Sequence, residues 1–254
     1  MSDRTTFVSF LLDETGSMQS IKDDTIGGLN EYLDALKKGG DDIVFSLVSF
    51  NSSETRRRYV AEPIGSVTPL EEGDYNPRHS TPLIDAAVKI IKATEDAVKD
   101  RGDDPNVVIV MQTDGLENVS VEYTNADLAA LIKEKDQLGW QFLFLGAGLD
   151  AFAAARAAGI HIPAEQVISY GRTRSREVFR ATADNLSSFS KSGDALSLSY
   201  SPAQREDVGD EYSGQYLEPG ADTSKRTRSS QSQSGGRKGR RERSTTDDYD
   251  LRSR

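Results

Sequence analysis

The sequence predicts an α/β fold: a doubly wound, mostly parallel central sheet with one antiparallel edge strand and helices on both faces. Three observations carry that expectation. Short apolar runs alternate with helical segments through residues 5–190, the order that lays down parallel strands joined by crossover helices. The run Val107-Val108-Ile109-Val110-Met111 is apolar throughout, as a strand covered on both faces must be. A third strand-like stretch carries Arg56-Arg57-Arg58, which is tolerable only where much of the strand is exposed, at a sheet edge.

The elements follow in order. Residues 7–12 read as a short apolar strand. Ile21, Thr25, Leu29, Leu33 and Leu36 then recur every three or four positions, so a helix with one buried stripe comes next. Ser20 is expected to cap it, with Asp23 and Asp24 favourable at the positive end of its dipole. Gly27-Gly28 inside this helix cost about 1 kcal/mol each relative to alanine, which close helix packing would offset. Residues 43–50 form a second strand, and Asn51-Ser52-Ser53 turns it into the edge strand at 55–61. A loop over 71–80 leads to a helix from Pro82 to about residue 100, proline suiting a first turn whose N–H is not needed. Strand 107–111, helix 125–138, strand 141–145, helix 150–158 stopped at Gly159, strand 166–170 and helix 175–191 complete the series.

The chain has 254 residues, 36% of them apolar, with one tryptophan and no cysteine. A chain of this size buries roughly 70% of its unfolded surface, so forming a core is no obstacle. The absence of cysteine excludes a disulfide framework and any thiolate metal site, and suits a reducing compartment. The N-terminus carries acid early and shows no cleavage site after its brief apolar run, and no run approaches the roughly 18 residues of a membrane span. The expectation is a soluble, cytoplasmic protein. Composition changes near Ser201: the domain is expected over 1–200, followed by a disordered Ser/Gly/Arg-rich tail over 201–254. That tail holds Lys225, Arg226, Arg228, Arg237, Lys238, Arg240, Arg241 and Arg243, while the net charge is −10, so the body is strongly acidic and unsuited to nucleic acid. Only the basic tail could take RNA, DNA or an acidic protein, and such runs are most often solubilising.

The stretch LLDETGSMQS, residues 11–20, ends the first strand in a carboxylate and then sets two hydroxyls at alternate positions. Two other segments are of the same kind: Ser80-Thr81-Pro82-Leu83 before the second long helix, and Thr113-Asp114-Gly115 after the most apolar strand. In an open sheet those two strands are neighbours where the strand order reverses, which brings Asp13 and Asp114 out side by side. The three segments together resemble the von Willebrand factor A (VWA) domain, whose metal-ion-dependent adhesion site (MIDAS) combines a D-x-S-x-S loop with a distant threonine and a distant aspartate. The resemblance spans about residues 5–190 and departs at Thr15, where serine is usual and the hydroxyl is kept. The stretches Tyr75-Asn76-Pro77-Arg78-His79-Ser80-Thr81-Pro82-Leu83 and Asp114-Gly115-Leu116-Glu117-Asn118 are closer still to stand-alone VWA proteins of bacteria and phages.

The resemblance implies a Rossmann-like VWA fold and a bound divalent cation, Mg²⁺ with Mn²⁺ or Ca²⁺ as alternatives. Ser17 and Thr81 would be direct ligands, Asp13 and Asp114 direct or water-bridged ones, and Thr15 a supporting hydroxyl. Hard cations take oxygen ligands, and with two carboxylates in the set the ion keeps a position for an Asp or Glu from another protein. Gly16 is expected to let the loop turn so that Thr15 and Ser17 face inward. The function implied is cation-dependent protein binding, not catalysis.

Competing signals are present. A strand ending in Asp13 also resembles the haloacid dehalogenase phosphatases, with Asp13 as nucleophile and Mg²⁺ as cofactor, but the acid/base aspartate they need two residues on is Thr15 here. Gly146-Ala147-Gly148-Leu149-Asp150-Ala151 matches a dinucleotide fingerprint, yet Glu165 precedes the following strand instead of ending it, so a tight turn with close helix–sheet packing is the favoured reading. Glu117 is a candidate acceptor for a metal-bound water. Arg78 and His79 flank the threonine loop as solvated side chains able to touch an acidic partner, and His161 reads as structural.

Overall fold

The structure, a computed structural model, describes residues 4–39, 42–102 and 104–217. Six strands form one sheet: β1 (Thr6–Asp13), β2 (Ile43–Phe50), β3 (Thr55–Pro63), β4 (Asn106–Thr113), β5 (Gln141–Ala147) and β6 (Val167–Tyr170). Their order is β3-β2-β1-β4-β5-β6. β1 runs parallel to β2 and β4, β5 and β6 continue parallel, and β3 closes the edge antiparallel to β2. The helices are α1 (Lys22–Gly39), α2 (Leu83–Arg101), α3 (Asn125–Gln137), α4 (Ala151–Ala157), α5 (Ser175–Ser192) and α6 (Pro202–Val208).

Side chains alternate across a strand, so β1 feeds both layers. Val8, Phe10 and Leu12 meet α1 and α5 through Leu29, Tyr32, Phe179 and Leu186. Phe7 and Leu11 meet α2, α3 and α4 through Leu83, Ile91, Leu128 and Phe152. Every residue of β1 and β2 is buried, as strands covered on both faces require. The glycine pair of α1 has its reason here: a Cβ on Gly28 would lie 2.7 Å from Phe179 Cδ2 and 2.9 Å from the Ser175 carbonyl, so α5 can approach only a bare backbone.

Three expectations are corrected. Ser20 does not cap α1; a 3-10 turn over Gly16–Ile21 precedes the helix, and the Ser20 hydroxyl donates to the Ser17 carbonyl instead. Gly16 takes no left-handed turn; its N–H donates to the His79 carbonyl at 2.9 Å, and a Cβ there would meet that oxygen at 3.4 Å. The domain also does not end at 200. Ser201 caps α6 through a reciprocal box with Gln204, Val208 is buried, and a further turn spans Ser213–Gln215. Composition misled because this segment is anchored by polar groups: Arg205 is buried among backbone carbonyls, and Tyr216 stacks on Phe152 with ring centroids 4.5 Å apart. Residues 218–254, with the basic run, lie outside the described residues.

Candidate functional site

Asp13, Thr15, Ser17 and Asp114 lie at and just beyond the carboxyl ends of β1 and β4, where β1 has a neighbour on either side and the strand order reverses, and the loop before α2 brings Thr81 to them. Asp13 is the last residue of β1 and Asp114 follows β4 directly. Asp13 Oδ1 accepts the Thr15 N–H at 2.8 Å and Oδ2 accepts the Thr113 hydroxyl at 2.5 Å. Ser17 donates to Asp114 Oδ1 at 2.5 Å. Thr15 Oγ1 lies 3.3 Å from Ser17 Oγ and 3.3 Å from Thr81 Oγ1. Three hydroxyls and one carboxylate therefore form a continuous run of oxygens, and Asp13 joins it through Thr15 and Thr113. Asp13, Thr15, Thr81 and Asp114 are buried, while Ser17 and Gly16 face solvent and mark the open side.

The threonine loop is drawn in by backbone rungs. Arg78 N–H donates to the Glu14 carbonyl at 3.0 Å, and Gly16 N–H to that of His79. His79 adopts φ 67°, a left-handed turn unusual for a residue with a side chain, which reverses the chain just before Thr81. Thr81 N–H then donates to Asn118 Oδ1 at 3.0 Å and its carbonyl accepts Asn118 N–H at 3.2 Å, tying this loop to the one after β4. Gly115 leaves the room required, because a Cβ there would stand 3.1 Å from Thr81 Oγ1.

Several residues of the site were not singled out from sequence. Thr113 orients Asp13. Glu14 is buried and accepts from Arg56, Ser49 and the Asn76 N–H, pinning the loop to the hairpin edge and to the 71–80 segment. Tyr75 donates its hydroxyl to the Asp13 carbonyl, and burial raises its pKa well above the ordinary phenol value, so it stays a donor. The period of a strand could have revealed the arginine roles: Arg56 and Arg58 share one face and pair with Glu14 and Asp74, while Arg57 points the other way and is exposed. Glu117 corrects an expectation. Both of its oxygens are taken, by the N–H groups of Ile84, Val119 and Ser120 and by the Ser120 hydroxyl, so it braces the loop at the start of α2 instead of waiting on a water.

Burial pushes the Asp13 carboxyl up to about 6, with Asp114 adding to the shift and hydrogen bonds from Thr113 and Thr15 opposing it. The sign follows from linkage. The folded state holds this proton more tightly than the unfolded one, so the group's penalty is absent below about pH 4, grows between about pH 4 and 6, and is fully present above that. The shift from 3.8 to about 6 amounts to about 3 kcal/mol at neutral pH. In EDTA, Asp13→Asn should therefore be more stable than the parent at pH 7 by an amount that shrinks toward zero near pH 4. Urea unfolding at both pH values measures it, and a difference independent of pH would refute the assignment.

The donor set is all oxygen. Among the described residues no group of three or more His, Cys, Asp or Glu could hold a metal, so a site rich in nitrogen or sulfur ligands is not formed there. Two carboxylates with three hydroxyls suit a hard cation. Adjacent ligands of an octahedral ion with bonds of about 2.1 Å lie about 3 Å apart. The observed separations of 2.5–3.3 Å bracket that value, so the residues fit such an ion. The phosphatase reading gains no support: position 15 offers a hydroxyl, and both Asp13 oxygens are engaged by donors. The glycine turn at 146–148 is a packing device, since a Cβ on Gly146 would lie 2.7 Å from Ala151 Cβ.

No protein-family model matches the sequence, and neither does any curated protein. Among solved structures the chain is similar to the pilus adhesin SpaC of Lactobacillus rhamnosus GG in its open conformation. The two share 12% identity over 74% of this chain and 30% of the adhesin, with a TM-score of 0.58. Looser likenesses are to proximal thread matrix protein 1 of the mussel byssus with a zinc-occupied MIDAS motif and to manganese-loaded TRAP protein of Plasmodium vivax. The first has TM-score 0.48, 15% identity, 77% of this chain and 46% of that one; the second has TM-score 0.44, 14% identity, 69% and 72%. The chain thus spans under a third of the adhesin and under half of the byssus protein. At such identities the likeness speaks for the fold alone. That fold is the doubly wound α/β sheet with one antiparallel edge strand.

Proposed function

We propose that this chain is a VWA domain of the stand-alone bacterial or phage type that binds another protein through a divalent cation, Mg²⁺ by preference. The observation that carries the reading is the meeting of Asp13, Thr15, Ser17, Thr81 and Asp114, from three distant segments, in one cluster of oxygens open on one side. Ser17 and Thr81 would ligate directly, Asp13 and Asp114 directly or through water, and Thr15 would support them. When bound, the ion supplies a Lewis-acidic position for a carboxylate from the partner. Glu14, Tyr75 and Asn118 hold the loops so that this geometry exists before the partner arrives, which lowers the ordering cost of binding. No reaction is proposed.

No helix among the described residues is long and apolar enough to cross a membrane. The test is capture of partners by the immobilised full chain in Mg²⁺ and in EDTA. A protein retained in Mg²⁺, released by EDTA and displaced by an acidic peptide is expected. Failure of the stripped chain to take up Mg²⁺ or Mn²⁺ at millimolar concentration in a calorimeter would end the reading.

A further inference from the structure

One charged side chain at the site belongs to none of the three motif segments. Arg172, in the turn between β6 and α5, donates from Nη1 to Asp114 Oδ2 at 3.0 Å and to Ser20 Oγ at 3.1 Å. The Asp114 side chain is fully buried, whereas that of Arg172 is 44% exposed, so the guanidinium stands at the rim with one edge toward the cluster and the rest toward solvent. Its stem is seated on purpose-made space. Gly148 has φ 64°, and a Cβ there would stand 2.7 Å from Arg172 Cγ and 2.9 Å from its Nε. The Gly148 N–H donates to the Tyr170 carbonyl at 2.7 Å, fixing the turn. The second glycine of Gly146-Ala147-Gly148, which in sequence mimics a phosphate loop, is thus the seat of an arginine.

Charge arithmetic says what the arginine does. Asp13 and Asp114 contribute −2 once ionised, and a divalent ion would bring the cluster to neutrality. Arg172 raises the loaded site to +1. It also competes for the Asp114 oxygen that the Ser17 hydroxyl leaves available. We propose that Arg172 sets the charge of this site: it holds Asp114 while no cation is bound, weakens cation binding, and makes the loaded site select an anionic carboxylate. The inference rests on the cation-binding reading and names the chemistry of the ligand that reading requires.

The test uses the full chain stripped of metal. Mn²⁺ is titrated by calorimetry into the parent, Arg172→Gln and Arg172→Lys, and acetate is then titrated into each loaded protein while Mn²⁺ water-proton relaxation is followed. Arg172→Gln should bind Mn²⁺ about three- to tenfold more tightly, a gap that narrows at high salt because the guanidinium is half exposed. It should bind acetate more weakly by a similar factor. Arg172→Lys, which keeps the charge, should stay within about twofold of the parent in both, and melting curves in EDTA confirm that each variant is folded. Equal or weaker Mn²⁺ binding by Arg172→Gln, or no difference in acetate binding, overturns the inference. Absence of Mn²⁺ uptake by the parent overturns the cation reading itself, so the two failures are distinguishable.

Discussion

Replacing Asp114 with alanine should weaken Mn²⁺ uptake by about two orders of magnitude or more. The substitution removes one of the two carboxylates of the cluster and leaves Arg172 beside it, so the remaining charge facing a divalent ion falls from −1 to zero. A unit charge about 4 Å from another is worth about 1–4 kcal/mol between the limits of bulk water and a protein surface, and the double charge of the ion scales that upward. The metal-free fold should change little, because the repulsion between Asp114 and Asp13 is relieved as the Ser17 and Arg172 contacts are lost. Saturating cation should then raise the melting temperature of the parent and not of the variant. At a hundredfold excess over Kd the gain is about 2.7 kcal/mol, or about 5–10 °C for a domain of this size. Equal uptake by parent and variant in a calorimetric titration would remove Asp114 from the ligand set.

Arg205→Met should lower stability by about 3–5 kcal/mol, a fall in melting temperature of about 10 °C. Arg205 on α6 donates to the carbonyls of Val167 at 2.9 Å, Glu165 at 3.0 Å, and Ala164 and Tyr200 at 3.3 Å. It also pairs with Asp210 at 2.7 Å, both side chains being almost entirely buried. Its guanidinium lies 5.7 Å from the Phe152 ring centroid and 5.8 Å from that of Tyr200. Methionine replaces much of the volume but removes the cation paired with the buried Asp210 carboxylate and one donor to each of four carbonyls, and the buried charge left without a counter-ion is the larger part of the loss. Asp210→Asn added to Arg205→Met should recover part of it, since the stranded charge goes. Chemical denaturation of the three variants measures both effects. A loss under 1 kcal/mol for Arg205→Met would mean that α6 does not anchor the end of the sheet.

Much of this molecule was legible in its sequence, for reasons visible in particular residues. The strand over 107–111 announced itself because burial on both faces demands an unbroken apolar run, and Arg56-Arg57-Arg58 marked the edge because a central strand could not bear them. Asp13 and Asp114 could be paired because the ends of adjacent strands are brought together by the topology, while Thr15, Ser17 and Thr81 were chosen through the resemblance of their segments to a known adhesion motif. Those are consequences of local periodicity and strand order, which a chain carries in one dimension. What the tertiary structure decided depends on where side chains reach across space. Glu117 looks free in sequence and is consumed by the amides of α2's first turn and its own loop. Gly148 looks like a phosphate binder and instead seats Arg172, a partner to Asp114 from 58 residues away. Residues 201–217 look too polar to fold and are held by Arg205, whose carbonyl acceptors belong to other segments, together with the buried Val208 and the stacking of Tyr216 on Phe152. Apolar burial is readable from composition because it is non-directional, whereas a hydrogen bond or ion pair needs a distance and an angle between residues far apart in the chain.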